Sequence, residues 1–228
     1  AFIMAHRNGI DTSLLCLTDG QAAHFRGGLE DNEKLGRQRR AELASACELL
    51  GVTRHEVLQY PDGDLLHQDF YKLTGDIVAR IRSLRPHVIL TFGGDGGVNL
   101  HRDHTVVSAA TTAAFHWAIR PEVFPEHNLS PWAPQKLYYS STPFVTVRSR
   151  PELSGASTVP WSLSLDLGDS ARLKWEAFAK HGSQSGVLDR VKNLLTEHRT
   201  TERYLLAATK GPVHITDDSG LFAGVSED

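Results

Sequence analysis

The chain has 228 residues, 40% of them hydrophobic and 22% charged, with a net charge of −3. This is the composition of a globular protein with one sizeable core, and without a basic excess it excludes nucleic acid and anionic membrane surfaces as partners. No apolar run approaches the roughly 18 residues of a membrane span. Two cysteines, Cys16 and Cys47, are too few for a disulfide scaffold, so buried free thiols in a reducing, cytoplasmic compartment are expected.

Ala1–Arg7 reads as the end of a helix closed by Asn8-Gly9, so a preceding strand and any targeting signal are expected upstream of Ala1. The apolar run 13–17 predicts a strand buried on both faces, ended by the turn Thr18-Asp19-Gly20. Residues 21–32 are polar and glycine-containing, a mobile loop by composition. Leu35, Leu43, Ala46, Cys47 and Leu50 follow helical spacing, and Gly51 closes that helix. A short strand over 56–60 leads into the turn Pro61-Asp62-Gly63. Leu73, Ile77, Val78, Ile81 and Leu84 then predict a helix over 70–84 that stops before Pro86.

The β-branched run 88–92 predicts a strand, and residues 105–119 a helix. Residues 121–135 are proline-rich and read as a long loop, a lid or substrate wall. A strand over 137–140, antiparallel pieces within 143–167, helices over 171–180 and 187–198, and a peripheral last twenty residues complete the chain. Strands alternating with helices imply right-handed βαβ units. The expected fold is α/β: a single three-layer α/β/α Rossmann-like domain over residues 1–228, mainly parallel, with antiparallel additions from the C-terminal part.

The handover from strand 88–92 to the next helix carries the chemistry. There Gly93-Gly94-Asp95-Gly96-Gly97 runs through Asn99 into His101-Arg102-Asp103-His104. In open α/β sheets ligands bind at the carboxyl ends of strands, and a spacing of three puts His101 and His104 on one helical face. The glycine run lacks the third glycine of a dinucleotide fingerprint. A capped helix start would explain Asp103 alone. Two histidines and a carboxylate go beyond a cap: His104 as a neutral imidazole suits a divalent ion, His101 in its protonated form suits developing negative charge, and Asp103 suits the orienting of an imidazole. A catalytic zinc needs three protein ligands, and this loop offers at most two. Asp19 and Asp62 follow strands, but Asp-Gly is more readily a turn than a ligand.

Taken in order, Leu17-Thr18-Asp19-Gly20, Arg39-x-x-Glu42-Leu43, Leu50-Gly51-Val52, Tyr60-Pro61-Asp62-Gly63, Arg85-Pro86, His101-x-Asp103-His104 and His181-x-Ser183-Gln184 resemble the PIG-L/LmbE-like deacetylases over roughly residues 1–205. That resemblance implies a zinc-dependent hydrolase removing acetyl from N-acetylglucosaminyl groups or related amides, with another first-row divalent ion as an alternative metal. It implies His104 as a metal ligand and His101 as the acid or electrostatic stabiliser of the tetrahedral intermediate, with Asp103 completing the catalytic set by orienting an imidazole. Arg39 and His181 would lie near the substrate, as would Asn99, which stands where the family often has an aromatic residue. Arg102 replaces the family's usual proline. The family's first signature, His-Pro-Asp-Asp-Glu, with its two ligands and general base, is expected upstream of Ala1. The implied partner is a small sugar-like or amide molecule; a homo-oligomer stays open. Two other readings compete: a non-catalytic sugar- or metabolite-binding member lacking that metal half-site, and a metal hydrolase of phosphate esters.

Overall fold

Side-chain caps and left-handed residues set the helix ends in this computed structural model, which describes residues 1–140, 159–191, 200–211 and 219–226. After the short α1 (Phe2–Arg7), α2 (Asn32–Leu50) opens where the Asp31 carboxylate accepts the Lys34 amide. It closes at Gly51, whose φ of 69° lets its amide answer the Cys47 and Glu48 carbonyls. Asp69 caps α3 (Phe70–Leu84) in the same way through the Lys72 amide. This helix and the strand β3 (Val88–Phe92) fall on the predicted residues. The chain forms two compact units, Ala1–Leu65 with Leu165–Glu202 and Leu66–Ser164 with Arg203–Asp228.

In the first unit, β1 (Ser13–Cys16) pairs in parallel with β2 (Arg54–Val57), Ser13 opposite Arg54 and Cys16 opposite Val57. The strand expected over 56–60 therefore starts two residues earlier. Its expected end still follows the partner, since Leu58 and Tyr60 donate their amides to the Cys16 and Leu17 carbonyls at 2.8 and 3.1 Å. With one strand beside it in a two-stranded sheet, β1 is half-buried rather than sealed on both faces. The unit also holds α5 (Ser170–Ala179) and α6 (Ser185–Val191). The remainder of the predicted helix 187–198 lies outside the described residues.

The other sheet has the order β3-β4-β6-β5, with β4 (Lys136–Ser140), β5 (Leu163–Asp166) and β6 (Thr201–Thr209); β3, β4 and most of β6 belong to the second unit. β3 and β4 are parallel, and β6, which the sequence reading did not single out as a strand, runs antiparallel to β4. Most of the alternation expected over 143–167 falls on 141–158, outside the described residues. The helix α4 (Arg102–Trp117) packs with α3, burying Leu73, Val78, Ala110 and Ala114 completely. The C-terminal residues are not peripheral. The Gln135 amide donates to the Ser226 carbonyl and accepts its backbone N–H, the Tyr138 hydroxyl donates to the Gly220 carbonyl, and Leu221 is buried.

The start of the segment 121–135, expected as a lid or substrate wall, is anchored to a helix. The buried guanidinium of Arg82 donates to the carbonyls of Ala118, Arg120, Val123 and Phe124 at 2.6–3.2 Å, which pins the segment to α3. The segment lines a cavity of about 280 Å³. Replacing Arg82 with methionine keeps the stem's packing but takes a charged donor from four carbonyls, of which those of Ala118, Arg120 and Phe124 keep a backbone N–H from Trp132, Val123 and His127. A loss of about 3 kcal/mol is expected, at the scale of charged hydrogen bonds removed from an interior, read as a lower urea midpoint with an unchanged slope.

Candidate active site

The loop after β3 is shaped by backbone that only glycine adopts readily. Gly96 and Gly97 have φ of 88° and 64°, and a Cβ on Gly97 would come within 2.8 Å of the Phe92 ring. Asp95 accepts the Gly97 amide on Oδ1 at 2.9 Å, while its Oδ2 is buried without a hydrogen-bond partner among the described residues. Leu100 takes a left-handed turn, and His101 then caps α4.

That cap fixes the His101 ring. Its Nδ1 accepts the Asp103 amide at 3.1 Å, so Nδ1 must carry a lone pair and the ring proton sits on Nε2. With Nδ1 so engaged, Nε2 is the nitrogen that can present an N–H to a ligand. Asp103 orients the ring through its backbone N–H, and the residue itself is buried. His104 takes the opposite tautomer. Its Nδ1 lies 3.0 Å from the Gly96 carbonyl and donates to it, which leaves the lone pair on Nε2. The ring stacks on Phe92 at 3.9 Å and 5°. The two histidine rings are brought within 5.4 Å of each other, one offering a donor and the other an acceptor. Asn99, which is exposed, caps the turn by accepting the His101 amide.

In the first unit the three arginines of α2 divide their work. Arg37 pairs with Glu33 on the surface. Arg40 is consumed by structure: it donates to Asp19 Oδ2 at 3.1 Å and to the Val57 and Leu58 carbonyls, tying the ends of β1 and β2 together. Arg39 lies over Gly20, where a Cβ would meet its Nε at 2.5 Å, and it has no hydrogen bond or ion pair among the described residues. Asp62 accepts the Thr18 hydroxyl and the Ala22 amide, and so behaves as the turn residue the sequence predicted.

Three further residues, quoted in the sequence motifs without a role, organise this unit. Glu42 is buried on α2 and accepts the Ser183 amide at 2.8 Å, the Ser183 hydroxyl at 2.7 Å and the Gln38 amide at 3.1 Å. Gln184 donates to the Phe25 carbonyl at 2.6 Å. Residues 21–32, expected to be mobile, are wound around Arg26, which donates to the Leu29 and Glu30 carbonyls and to the Asn32 side chain. The available signal was Glu42 itself, a carboxylate on the buried stripe of Leu35, Ala46 and Cys47, which demands partners. Burial works to raise the Glu42 carboxyl pKa, but the Ser183 hydroxyl and amide, Gln38 and the nearby His181 outweigh it and hold it below the usual range. For His181 burial lowers the pKa; Glu42 opposes that shift and Arg39 reinforces it.

A catalytic zinc asks for three protein ligands and an open position. His104 fits one of them: a ring whose other nitrogen is held by a backbone carbonyl is the usual form of a metal-binding histidine. Among the described residues no group of three or more His, Cys, Asp or Glu is arranged to hold a metal. The described residues thus fit one ligand and do not make a whole zinc site.

The model of the family described as PIG-L: GlcNAc-PI de-N-acetylase matches residues 1–115, half of the chain. The chain belongs to the PIG-L family. A mycothiol S-conjugate amidase of Streptomyces coelicolor is 32% identical over 152 residues, covering 58% of this PIG-L chain and 51% of the relative. A 1D-myo-inositol 2-acetamido-2-deoxy-alpha-D-glucopyranoside deacetylase of Rhodococcus opacus is 30% identical over 217 residues, covering 85% and 72%. The N,N'-diacetylchitobiose deacetylase of Pyrococcus horikoshii superposes with a TM-score of 0.72 at 17% identity, over 89% of this chain and 75% of that one, a likeness of fold. The chain spans about half the length of several curated relatives it matches.

The Glu42–His181 pair gives this PIG-L chain a defined acid response. Both groups have pKa values depressed by folding, from 4.5 and 6.5 respectively, so each contributes stability above its unfolded pKa and loses it as pH falls through the folded one. Stability should therefore decline below pH 6.5 through His181 and again below pH 4.5 through Glu42. Urea midpoints measured from about pH 8 to about pH 4 check this: Glu42→Gln should flatten the lower part of the decline and His181→Asn the upper part.

Proposed function

We propose that the protein containing this chain is a zinc-dependent N-deacetylase, adding water across the amide C–N bond of a 2-acetamido sugar or related amide to give acetate and a free amine. The observation that carries the reading is the His101–His104 pair, two rings 5.4 Å apart with opposite tautomers at the carboxyl end of β3. Membership of the PIG-L family and the deacetylase and amidase names of the relatives support the same reaction class.

His104, through Nε2, is the residue of this chain that would hold the metal. When bound, a divalent ion polarises an amide carbonyl and acidifies a water. His101 donates its Nε2–H to the oxygen that becomes negative as the carbonyl turns tetrahedral. Because the Asp103 amide locks the ring beforehand, no reorganisation is needed at that moment. Arg39, His181 and Asn99 are assigned to the hydroxylated part of the substrate, with Arg39 chosen over its neighbours because Arg37 and Arg40 are already paired. The two free cysteines, Cys16 and Cys47, support a reducing compartment, the cytoplasm. No helix among the described residues is long and apolar enough to cross a membrane.

The test is acetate release by the full-length, zinc-loaded protein from a panel of N-acetylglucosaminides. His101→Ala should retain zinc and lose about 100- to 1000-fold in kcat, the cost of one oxyanion donor. His104→Ala should fail to retain zinc on dialysis. Binding of the sugars without release of acetate would replace the hydrolase reading with that of a sugar-binding protein, and full activity in both variants would remove these residues from the site.

A further inference from the structure

Three parts of the first unit converge on the turn His181–Gln184. Glu42 grips it from α2. Gln184 holds the Phe25 carbonyl, and Gly27 comes close enough to Ser183 that a Cβ would stand 3.0 Å from its Cα. Phe25 in turn sits against Gly186, with Arg190 over its ring at 4.8 Å. The proposed mechanism leaves this arrangement unused.

We infer that Glu42 is a positioning residue for the sugar-binding edge, fixing where His181 stands relative to Arg39. This rests on the deacetylase reading. Arg39 and Glu42 are three residues apart on α2 and so share a helix face one turn apart. His181 lies two residues before Ser183, which gives Glu42 both its amide and its hydroxyl. Two bonds to one residue set the orientation of the turn as well as its distance from the helix, and a carboxylate offers acceptors only, as this pair of donors requires. The Glu42 charge also acts on the nearby His181 imidazole, opposing the effect of its burial. Glu42 touches neither substrate nor metal; it acts through the placement of His181 beside α2, the helix that carries Arg39.

The consequence is a loss of substrate affinity that depends on Arg39. Glu42→Gln preserves size and a hydrogen-bonding head but removes the charge. In the full-length, zinc-loaded protein, with the N-acetylglucosaminide it hydrolyses fastest, Glu42→Gln should raise KM about tenfold with kcat within about threefold, the pattern of lost ground-state and transition-state binding together. Ser183→Ala, which leaves the carboxylate in place, should move KM the same way by less. In an Arg39→Ala background the effect of Glu42→Gln on KM should largely vanish, whereas a merely structural role would add equally in both backgrounds. An unchanged KM in folded Glu42→Gln, or an equal rise in both backgrounds, overturns the inference while leaving the deacetylase reading intact. A wild-type protein that releases no acetate from any sugar tested removes that reading, and the inference with it.

Discussion

A charge taken out of water costs several kcal/mol unless hydrogen bonds answer it, and each unit of this chain holds a buried charge that organises a distant segment. In the second unit it is the Arg82 guanidinium, whose geometry suits several carbonyls at once; four converge on it from residues 118–124. In the first it is the Glu42 carboxylate, answered by Ser183 and Gln38. Both sit on otherwise apolar helix faces and recruit distant, irregular segments. These two segments are therefore ordered by buried ions on the helices, because loops have few apolar side chains with which to bury themselves.

The histidines after β3 obey a related constraint. An imidazole useful in catalysis needs one nitrogen committed, so that the other is presented in a known state. Here the commitments come from the backbone: the Asp103 amide for His101 and the Gly96 carbonyl for His104. Opposite partners give opposite tautomers from two rings of the same type. The glycine conformations at Gly96 and Gly97 belong to this arrangement, since the carbonyl that holds His104 is supplied by the left-handed turn itself. Replacing Arg102 by the family's proline would leave these bonds untouched, because they use the amide of Asp103 and not that of residue 102.

How far the sequence could reveal this depends on whether a signal is local. α3 and β3 were legible to the residue because apolar spacing, the Asp69 cap and Pro86 are all local. The His-x-Asp-His site was legible because it sits where a strand gives way to a helix. β6 was not: Tyr204-Leu205-Leu206-Ala207-Ala208 has no alternation, and most of the strand is half-buried without a clean inner face. β2 was misplaced because its start is set by pairing with β1 rather than by its own residues. The tautomers, the wound loop at Arg26 and the Glu42–Ser183 bonds lie beyond periodicity, since each is a hydrogen bond between residues whose identity permits it without requiring it.

The three arginines of α2 show why a motif alone does not assign a role. Arg37, Arg39 and Arg40 are chemically identical and nearly adjacent, yet they differ: Arg37 pairs on the surface, Arg40 ties strand ends together, and Arg39 has no hydrogen bond among the described residues. Arg40 cannot serve a ligand without releasing the ends of β1 and β2. Arg37, largely exposed beside Glu33, has little to hold it in a binding geometry. Arg39 is set over a glycine whose missing side chain makes room for it, with the Glu42 charge one turn away. A guanidinium ordered by packing but not used up by hydrogen bonds is the form a hydroxyl-rich ligand can exploit, because its donors are preorganised and still available.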